Sequence, residues 1–402
     1  MIKIGIIREG KSPSDSRVPL TPDQCAELSQ DADLDLFVQP SPVRCFPDAA
    51  FQELDVPMSD DLSDRDILMG VKEVPIEQLL PNKTYLFFSH TIKAQVYNQK
   101  LLRAVVDKNI RLIDYEVLTD EKGRRLIAFG KFAGMVGAHN GLLTYGRRTG
   151  TFQLGRMKDA LDYDHVKKEM YAPLDLPAIK IVLTGTGRVA SGAALVLKDM
   201  GIEQVSPQAF LEQTYSKAVF TQLGVKDNVR RKDGQAFDLN AFFQDPQPYE
   251  SCFAPFTEIA DIMINGIYWD NAAPAFFSLN EMRKPDWNIK VIADVTCDIA
   301  PVSSIPSTLR ASTIADPIFG FDPQTEKETE PHQEGVIDMM TIDNLPNELP
   351  RDASRAFGEQ FIQNILPEFK KADSSILQRA TIAEGGQLGP HFKYLQDYLD
   401  GK

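Results

Sequence analysis

The sequence predicts an α/β protein of two Rossmann-like domains, each built on a parallel sheet, with an active-site cleft between them. Three observations carry the prediction. Short apolar runs of strand length alternate with amphipathic segments, the pattern of a parallel sheet with helices on its faces. The 402 residues suffice for two to three domains at about 150 residues each. A glycine-rich turn, Gly185-x-Gly187-x-x-Ala190, stands between an apolar strand and an apolar helix, where a dinucleotide-binding unit places its phosphate loop.

In chain order, residues 2–7 read as the first strand. Thr21-Pro22-Asp23-Gln24 opens a helix: Thr21 suits the N-cap, Pro22 the first helical position, and Gln24 closes a capping box. Leu34–Val38, residues 67–71, 85–88 and Arg111–Asp114 are further buried strands. Residues 129–145 form a helix with Gly130, Gly134 and Gly137 in its interior. Glycine is costly there, so this helix must pack closely on another element, such as one at a domain boundary. Residues 171–177, with two prolines, read as a linker. Residues 179–183, Glu203–Val205, Ile262–Asn265 and residues 291–295 are strands of the second domain. Residues 324–334 read as a hairpin or exposed loop, and 351–369 as an amphipathic helix.

Composition narrows the function. Hydrophobic residues are 43% and charged residues 25%, ordinary for a globular protein and unlike a disordered chain. The net charge of −14 disfavours a nucleic-acid binder, which needs a basic footprint. The four cysteines lie far apart with no C-x-x-C pair, and no histidines have zincin spacing, so no metal site is expected. No apolar run is long enough to span a membrane and no leader is recognisable, which points to the cytoplasm. No nucleophile-elbow or P-loop motif occurs.

The glycine motif supports a dinucleotide site. Gly185 permits the tight turn, Gly187 lets backbone approach a pyrophosphate, and Ala190 allows close helix packing. The helix N-terminus offers free N–H groups to phosphate. An NAD site usually ends the next strand in a carboxylate about 20 residues on. Ser206 stands there, so NADP is favoured, with NAD the alternative. Elsewhere, Arg17, Lys72, His90 and Lys93 follow strands of the first domain. Each alone reads as an ordinary loop residue; together, at strand ends of one parallel sheet, they suggest one crevice. His139 reads as a packing residue, and His165, His332 and His391 as exposed.

At these residues the chain resembles the alanine dehydrogenase/saccharopine dehydrogenase superfamily, and within it the lysine–2-oxoglutarate reductase domain of bifunctional aminoadipic semialdehyde synthases. The resemblance rests on RVPLTP (17–22), GVKEVP (70–75), KTYLFFSHTIKAQ (83–95), IRLIDYE (110–116), GRRLIAFGKFAG (123–134), VLTGTGRVASGA (182–193), INGIYW (264–269) and IDNLPNELPRDAS (342–354). It implies a substrate domain of residues 1–130 plus 345–402 and a dinucleotide domain of residues 135–340. It implies Lys72 and His90 as the acid–base pair. Arg17, Gln95, Arg125 and Phe129 match substrate-contacting positions, and Glu116 an acidic residue near the lysine. Arg124, Arg188, Val189 and Ile342-Asp343-Asn344-Leu345 match cofactor-contacting positions. NAD-dependent saccharopine dehydrogenases carry Asp where Ser206 stands. The bifunctional enzymes carry a second dehydrogenase domain, for which 402 residues leave no room.

The implied reaction is the reversible, NAD(P)H-dependent coupling of L-lysine and 2-oxoglutarate to saccharopine, an oxidoreduction at a CH–NH bond. Its partners are small amino acids and 2-oxo acids, with no nucleic acid or membrane. A free lysine titrates near 10.4, so Lys72 must be depressed by burial or neighbouring cations to act as a base. The alternatives are an NAD-linked saccharopine dehydrogenase, another opine or alanine dehydrogenase-like enzyme, and a dinucleotide-binding protein without catalysis.

Overall fold

The computed structural model describes residues 1–402, which form two compact units, Met1–Phe129 with Pro350–Lys402, and Gly130–Leu349. Both are built on mainly parallel sheets, as the sequence predicts.

The first unit holds a seven-stranded sheet. Its order is Gln387–Leu388, Thr381–Glu384, Arg111–Asp114, Thr84–Phe87, Ile67–Met69, Ile2–Ile6, Leu34–Val38. The five strands from the N-terminal part of the chain run parallel, and Thr381–Glu384 runs antiparallel to Arg111–Asp114. Side chains alternate between two cores, as strand geometry requires. Ile67, Met69, Leu86 and Ile113 face one; Leu68, Tyr85, Phe87 and Leu112 face the other. The helix Pro350–Asn364 inserts Phe357 and Phe361, one turn apart, into the first core. The C-terminal segment is thus part of this unit's interior. The helix Pro22–Leu28 begins in the expected capping box at Thr21.

The second unit holds an eight-stranded sheet. Its order is Lys327–Thr329, Ile318–Asp322, Ile337–Met340, Val291–Asp294, Ile262–Asn265, Lys180–Thr184, Val219–Leu223, Glu203–Val205. Six strands are parallel; Ile318–Asp322 is antiparallel to both its neighbours and forms the expected hairpin with Lys327–Thr329. The strand after the glycine turn, Glu203–Val205, lies at the edge, and Val219–Leu223 takes the place beside Lys180–Thr184.

Two readings of the sequence need correction. The prolines of 171–177 do not separate domains: the stretch follows a π-helical segment, Val166–Tyr171, within the second unit. The small-residue helix, Gly130–Thr149, packs inside that unit against Arg188–Asp199. A Cβ on Gly134 would stand 1.8 Å from the Val189 carbonyl oxygen, and one on Gly192 2.0 Å from that of Lys131. The glycines let two helix backbones touch, which outweighs their poor helix propensity. His139 is buried between Tyr171 and the Gly155 carbonyl. Desolvation lowers its pKa to about 4, so it is a neutral packing residue. His332 is exposed, as expected, and its Nδ1 lies 2.7 Å from the buried Asp338 carboxylate.

No helix is long and apolar enough to cross a membrane.

Candidate active site

In the first unit the parallel strands end in segments that share their charged groups. Glu9, after the first strand, accepts hydrogen bonds from the backbone N–H groups of Val71 (2.6 Å) and Lys72 (2.9 Å). The residue is only half-buried, yet desolvation of its carboxyl, with Asp15 nearby, raises its pKa to about 7 against those two bonds. Lys72 is lowered to about 8, first by desolvation and then by the Arg17 and Lys11 cations. That is the depression the chemistry requires.

Glu73 joins the next two groups. Its Oε1 lies 2.5 Å from His90 Nδ1 and its Oε2 2.8 Å from Lys11 Nζ. Burial pushes Glu73 up, but the bonds from His90 and Lys11 outweigh it, and its pKa falls to about 2. With Nδ1 donating to Glu73, Nε2 is the nitrogen left for a substrate. His90 sits at φ +53°, a left-handed conformation that a non-glycine residue adopts only when its surroundings enforce it. Asp114 supplies part of that enforcement. Its Oδ2 accepts from Ser89 N and Oγ, and its Oδ1 from Glu116 N. One buried carboxylate thus fixes both the His90 loop and the Glu116 turn.

Aromatic rings link Arg17 to His90. The Arg17 guanidinium lies 4.3 Å from the Phe129 ring centroid. Phe88 packs on Phe129 at 5.8 Å and stacks on His90 at 6.5 Å. Arg17 also forms a bidentate pair with Asp15, at 3.0 and 2.6 Å, and is 3% exposed. Two of its nitrogens are therefore engaged within the protein, which tempers the expectation of an open carboxylate clamp. Arg125 is half-exposed and reaches Glu116 Oε1 at 2.8 Å, with Lys93 Nζ at 3.9 Å from the same oxygen. The other Glu116 oxygen is buried without a partner.

The structure thus gathers Lys72, His90, Arg17 and Phe129 into one set, and Glu116 with Arg125 into another. No bond joins Gln95 to either. It lies on an exposed turn after the left-handed Ala94, and its bonds run to Tyr97 and Tyr398. Arg124 is exposed and pairs with Asp120 at 2.7 Å.

In the second unit, Gly185 has φ +98° and a Cβ there would meet the Gly266 carbonyl oxygen at 2.7 Å. Only glycine fits. Gly187 caps the helix Arg188–Asp199, and nothing lies within 4 Å of where its Cβ would be. That open space before a helix N-terminus suits a pyrophosphate. Arg188 and Val189 form the first helical positions, and Ala190 is fully buried. Thr184, Asn265 and Asp294, at three adjacent strand ends, form a sealed chain of hydrogen bonds. Ile342, Asp343, Asn344 and Leu345 follow the strand Ile337–Met340, with Asp343 exposed. This donor set fits a dinucleotide.

Ser206 stands elsewhere than expected. It ends the edge strand, one strand removed from the glycine turn, and its Oγ caps the helix Pro207–Glu212 by accepting from Ala209 N at 3.1 Å. Counting residues placed it beside the turn because the count assumes that consecutive strands are neighbours.

Glu9, Lys11, Asp15 and Glu73 are functional candidates that the sequence reading did not single out. Glu73 adjoins Lys72 in GVKEVP, but an acid in a loop reads as solvated until its partners are seen.

Residues 5–136 match the family described as alanine dehydrogenase/PNT, N-terminal domain. The chain is 29% identical over 441 residues to alpha-aminoadipic semialdehyde synthase of Arabidopsis thaliana, covering 98% of this chain and 41% of the relative. It is 29% identical to the mitochondrial alpha-aminoadipic semialdehyde synthase of Mus musculus, covering 98% and 48%. The chain thus spans less than half the length of these relatives. It is 28% identical over 394 residues to saccharopine dehydrogenase (NAD(+), L-lysine-forming) of Yarrowia lipolytica, covering 93% and 94%. Among solved structures, L-alanine dehydrogenase superposes with TM-score 0.66 at 15% identity over 99% of both chains. A transhydrogenase from Sinorhizobium meliloti gives 0.57 at 11% identity, over 96% of this chain and 100% of the other. The superpositions establish the two-domain α/β fold. The resemblance read from the sequence is borne out.

Proposed function

We propose that this chain is a nicotinamide-dinucleotide-dependent oxidoreductase that reversibly couples L-lysine and 2-oxoglutarate to saccharopine. The observation that supports it most is the set of Lys72, Glu73 and His90, with a half-buried lysine lowered to about 8. A relative of similar sequence, named saccharopine dehydrogenase (NAD(+), L-lysine-forming), supports the same chemistry.

The coupling condenses the lysine ε-amine with the 2-oxo carbon, releases water, and reduces the resulting imine. The nicotinamide supplies the hydride. Neutral Lys72 accepts the proton that the amine must lose to attack. His90, oriented through Nδ1 by Glu73, delivers a proton to the departing hydroxyl through Nε2. Arg125 offers its guanidinium to a substrate carboxylate, a pairing that favours a fork of two hydrogen bonds. Arg17, held by Asp15 and Phe129, contributes positive charge that also lowers the Lys72 pKa. NADP(H) is the cofactor in this reading, with NAD(H) the alternative.

The test is cofactor oxidation with lysine plus 2-oxoglutarate against pyruvate plus ammonia, each with NADPH and NADH. Turnover with lysine plus 2-oxoglutarate, and saccharopine by mass spectrometry, is the expected result. Turnover only with pyruvate and ammonia, or none with either pair, overturns the reading.

A further inference from the structure

We infer that the adenosine end of the dinucleotide is held not beside Ser206 but by Gly224–Asn228 and the aromatic cavity behind that segment, with Lys226 recognising a 2′-phosphate. The inference rests on the dinucleotide reading above and assigns residues to it.

Sheet order carries the first step. Val219–Leu223 pairs with Lys180–Thr184 along its whole length. The Leu223 carbonyl accepts from Gly185 N at 2.8 Å, and Gln222 Nε2 donates to the Gly185 carbonyl at 3.0 Å. A Cβ on Gly224 would lie 3.6 Å from Thr186 Cγ2. The segment after the third strand therefore flanks the phosphate turn, where ligands of parallel sheets bind. Ser206 is one strand spacing further out, about 4.8 Å.

A cavity supplies the second step. It is lined by Val225, Asn228, Phe242, Phe243, Tyr268 and Trp269, among others, and holds about 130 Å³. That is on the order of ten water-sized spaces, enough for one bicyclic ring and too little for a whole dinucleotide. Ile267 belongs to its wall, and the Ile267 Cα would lie 2.9 Å from a Cβ on Gly185. The cavity therefore adjoins the phosphate turn. Phe243 is 63% exposed and Tyr268 86% exposed, so large aromatic faces stand open to a planar ring. Asn228 is 2% exposed; its Nδ2 donates to the Gly224 carbonyl, while its Oδ1 has no donor. An aromatic wall with an unmet acceptor fits a purine bearing an exocyclic amine.

Charge supplies the third step. Asp227, the carboxylate of this segment, accepts from Gly224 N at 2.9 Å and is engaged in that turn. Lys226 is exposed and paired with no carboxylate. A single cation at this place favours a phosphate over a bare ribose hydroxyl.

The experiment titrates NADPH, NADH and 5′-AMP by calorimetry into the full chain and its variants, with circular dichroism to verify folding. Tyr268→Ala and Phe243→Ala, both at exposed positions, should weaken NADPH, NADH and 5′-AMP by about tenfold each. Lys226→Ala should weaken NADPH by about tenfold and leave NADH within about twofold. Ser206→Asp should change neither. Gly187→Val should abolish both dinucleotides. If the aromatic variants bind like the parent while Gly187→Val abolishes binding, the cavity assignment falls and the dinucleotide reading stands. A selective loss of NADPH in Ser206→Asp likewise overturns it. If the aromatic variants alter sedimentation mass and not affinity, the cavity is a self-association face. If the parent chain binds neither dinucleotide, both readings fall together.

Discussion

In the first unit the ends of parallel strands carry Glu9, Lys72, Glu73, His90 and Glu116; in the second the corresponding edge carries Gly185, Gly187 and the sealed Thr184–Asn265–Asp294 chain. The same secondary structure thus presents ionisable side chains in one place and open backbone in the other. The difference matches the chemistry proposed for each edge. Proton transfer near neutral pH needs shifted pKa values, which only burial and close neighbours produce. Phosphate binding needs N–H groups and room for the ligand, which side chains would obstruct. Seven substitutions break or sharpen that contrast.

The largest effects belong to the proposed acid–base pair. Lys72→Met and His90→Gln should each lower kcat by about 10²–10⁴, with melting temperature and dinucleotide affinity close to the parent's. Their double variant should lose less than the product of the single losses, because one proton-transfer unit fails once. A wild-type kcat in both single variants removes the catalytic assignment.

Arg17→Ala removes the bidentate partner of the buried Asp15 and should cost about 3–5 kcal/mol of stability. Arg125→Ala removes a half-exposed pair; it should leave the denaturation midpoint unchanged and raise the KM for 2-oxoglutarate about tenfold, or ~1.4 kcal/mol. Equal effects from the two substitutions would show that the buried arginine and the open one share a role.

In the second unit the contrast is between two glycines. Gly134→Ala forces a methyl into the Val189 backbone and should destabilise by about 3 kcal/mol despite the gain of about 1 in helix propensity. Gly187→Ala meets no atom and should stay within about 0.5 kcal/mol of the parent in stability, while weakening dinucleotide binding. Calorimetric melting beside a binding titration reads both.

The smallest effect concerns pH. Glu9 is raised from 4.5 to about 7, so the folded state holds more protons than the unfolded chain between those values. Stability from this group is present below pH 4.5 and is lost as pH rises to about 7. Glu9→Gln should flatten that slope in urea midpoints measured across the window. Lys72 acts with the opposite sign: it is lowered from 10.5 to about 8, so its protonated form opposes folding and stability rises with pH between them. kcat/KM should rise through about 8, a limb that Lys72→Met lacks.

Much of this was legible in one dimension. The strands Leu34–Val38, Arg111–Asp114, Glu203–Val205 and Ile262–Asn265 fall at the residues read from the sequence; Ile262–Asn265, buried along its whole length, shows one reason, since a strand covered on both faces has to be largely apolar. The Thr21 box and the Gly185 turn were legible because each is a contract between residues a few positions apart. Lys72 and His90 drew notice as strand-end groups, and the family resemblance gave them roles. Ser206 misled because a spacing along the chain stands for a neighbour in the sheet only when strands add in order. Here the second strand took the edge.

By itself, then, the sequence determined two α/β units and the glycine turn that joins strand to helix. Each is encoded by local conformational preference or by burial periodicity, which act over one turn or one strand. Only the tertiary structure decided that Glu73 ties His90 to Lys11, that Glu9 holds the Lys72 backbone, that Asp15 occupies Arg17, and that Val219–Leu223 adjoins the glycine turn. Apart from Asp15, which is two residues from Arg17, those partners stand 17 or more residues apart in the chain, and both a pKa and a strand neighbour depend on what is near in space.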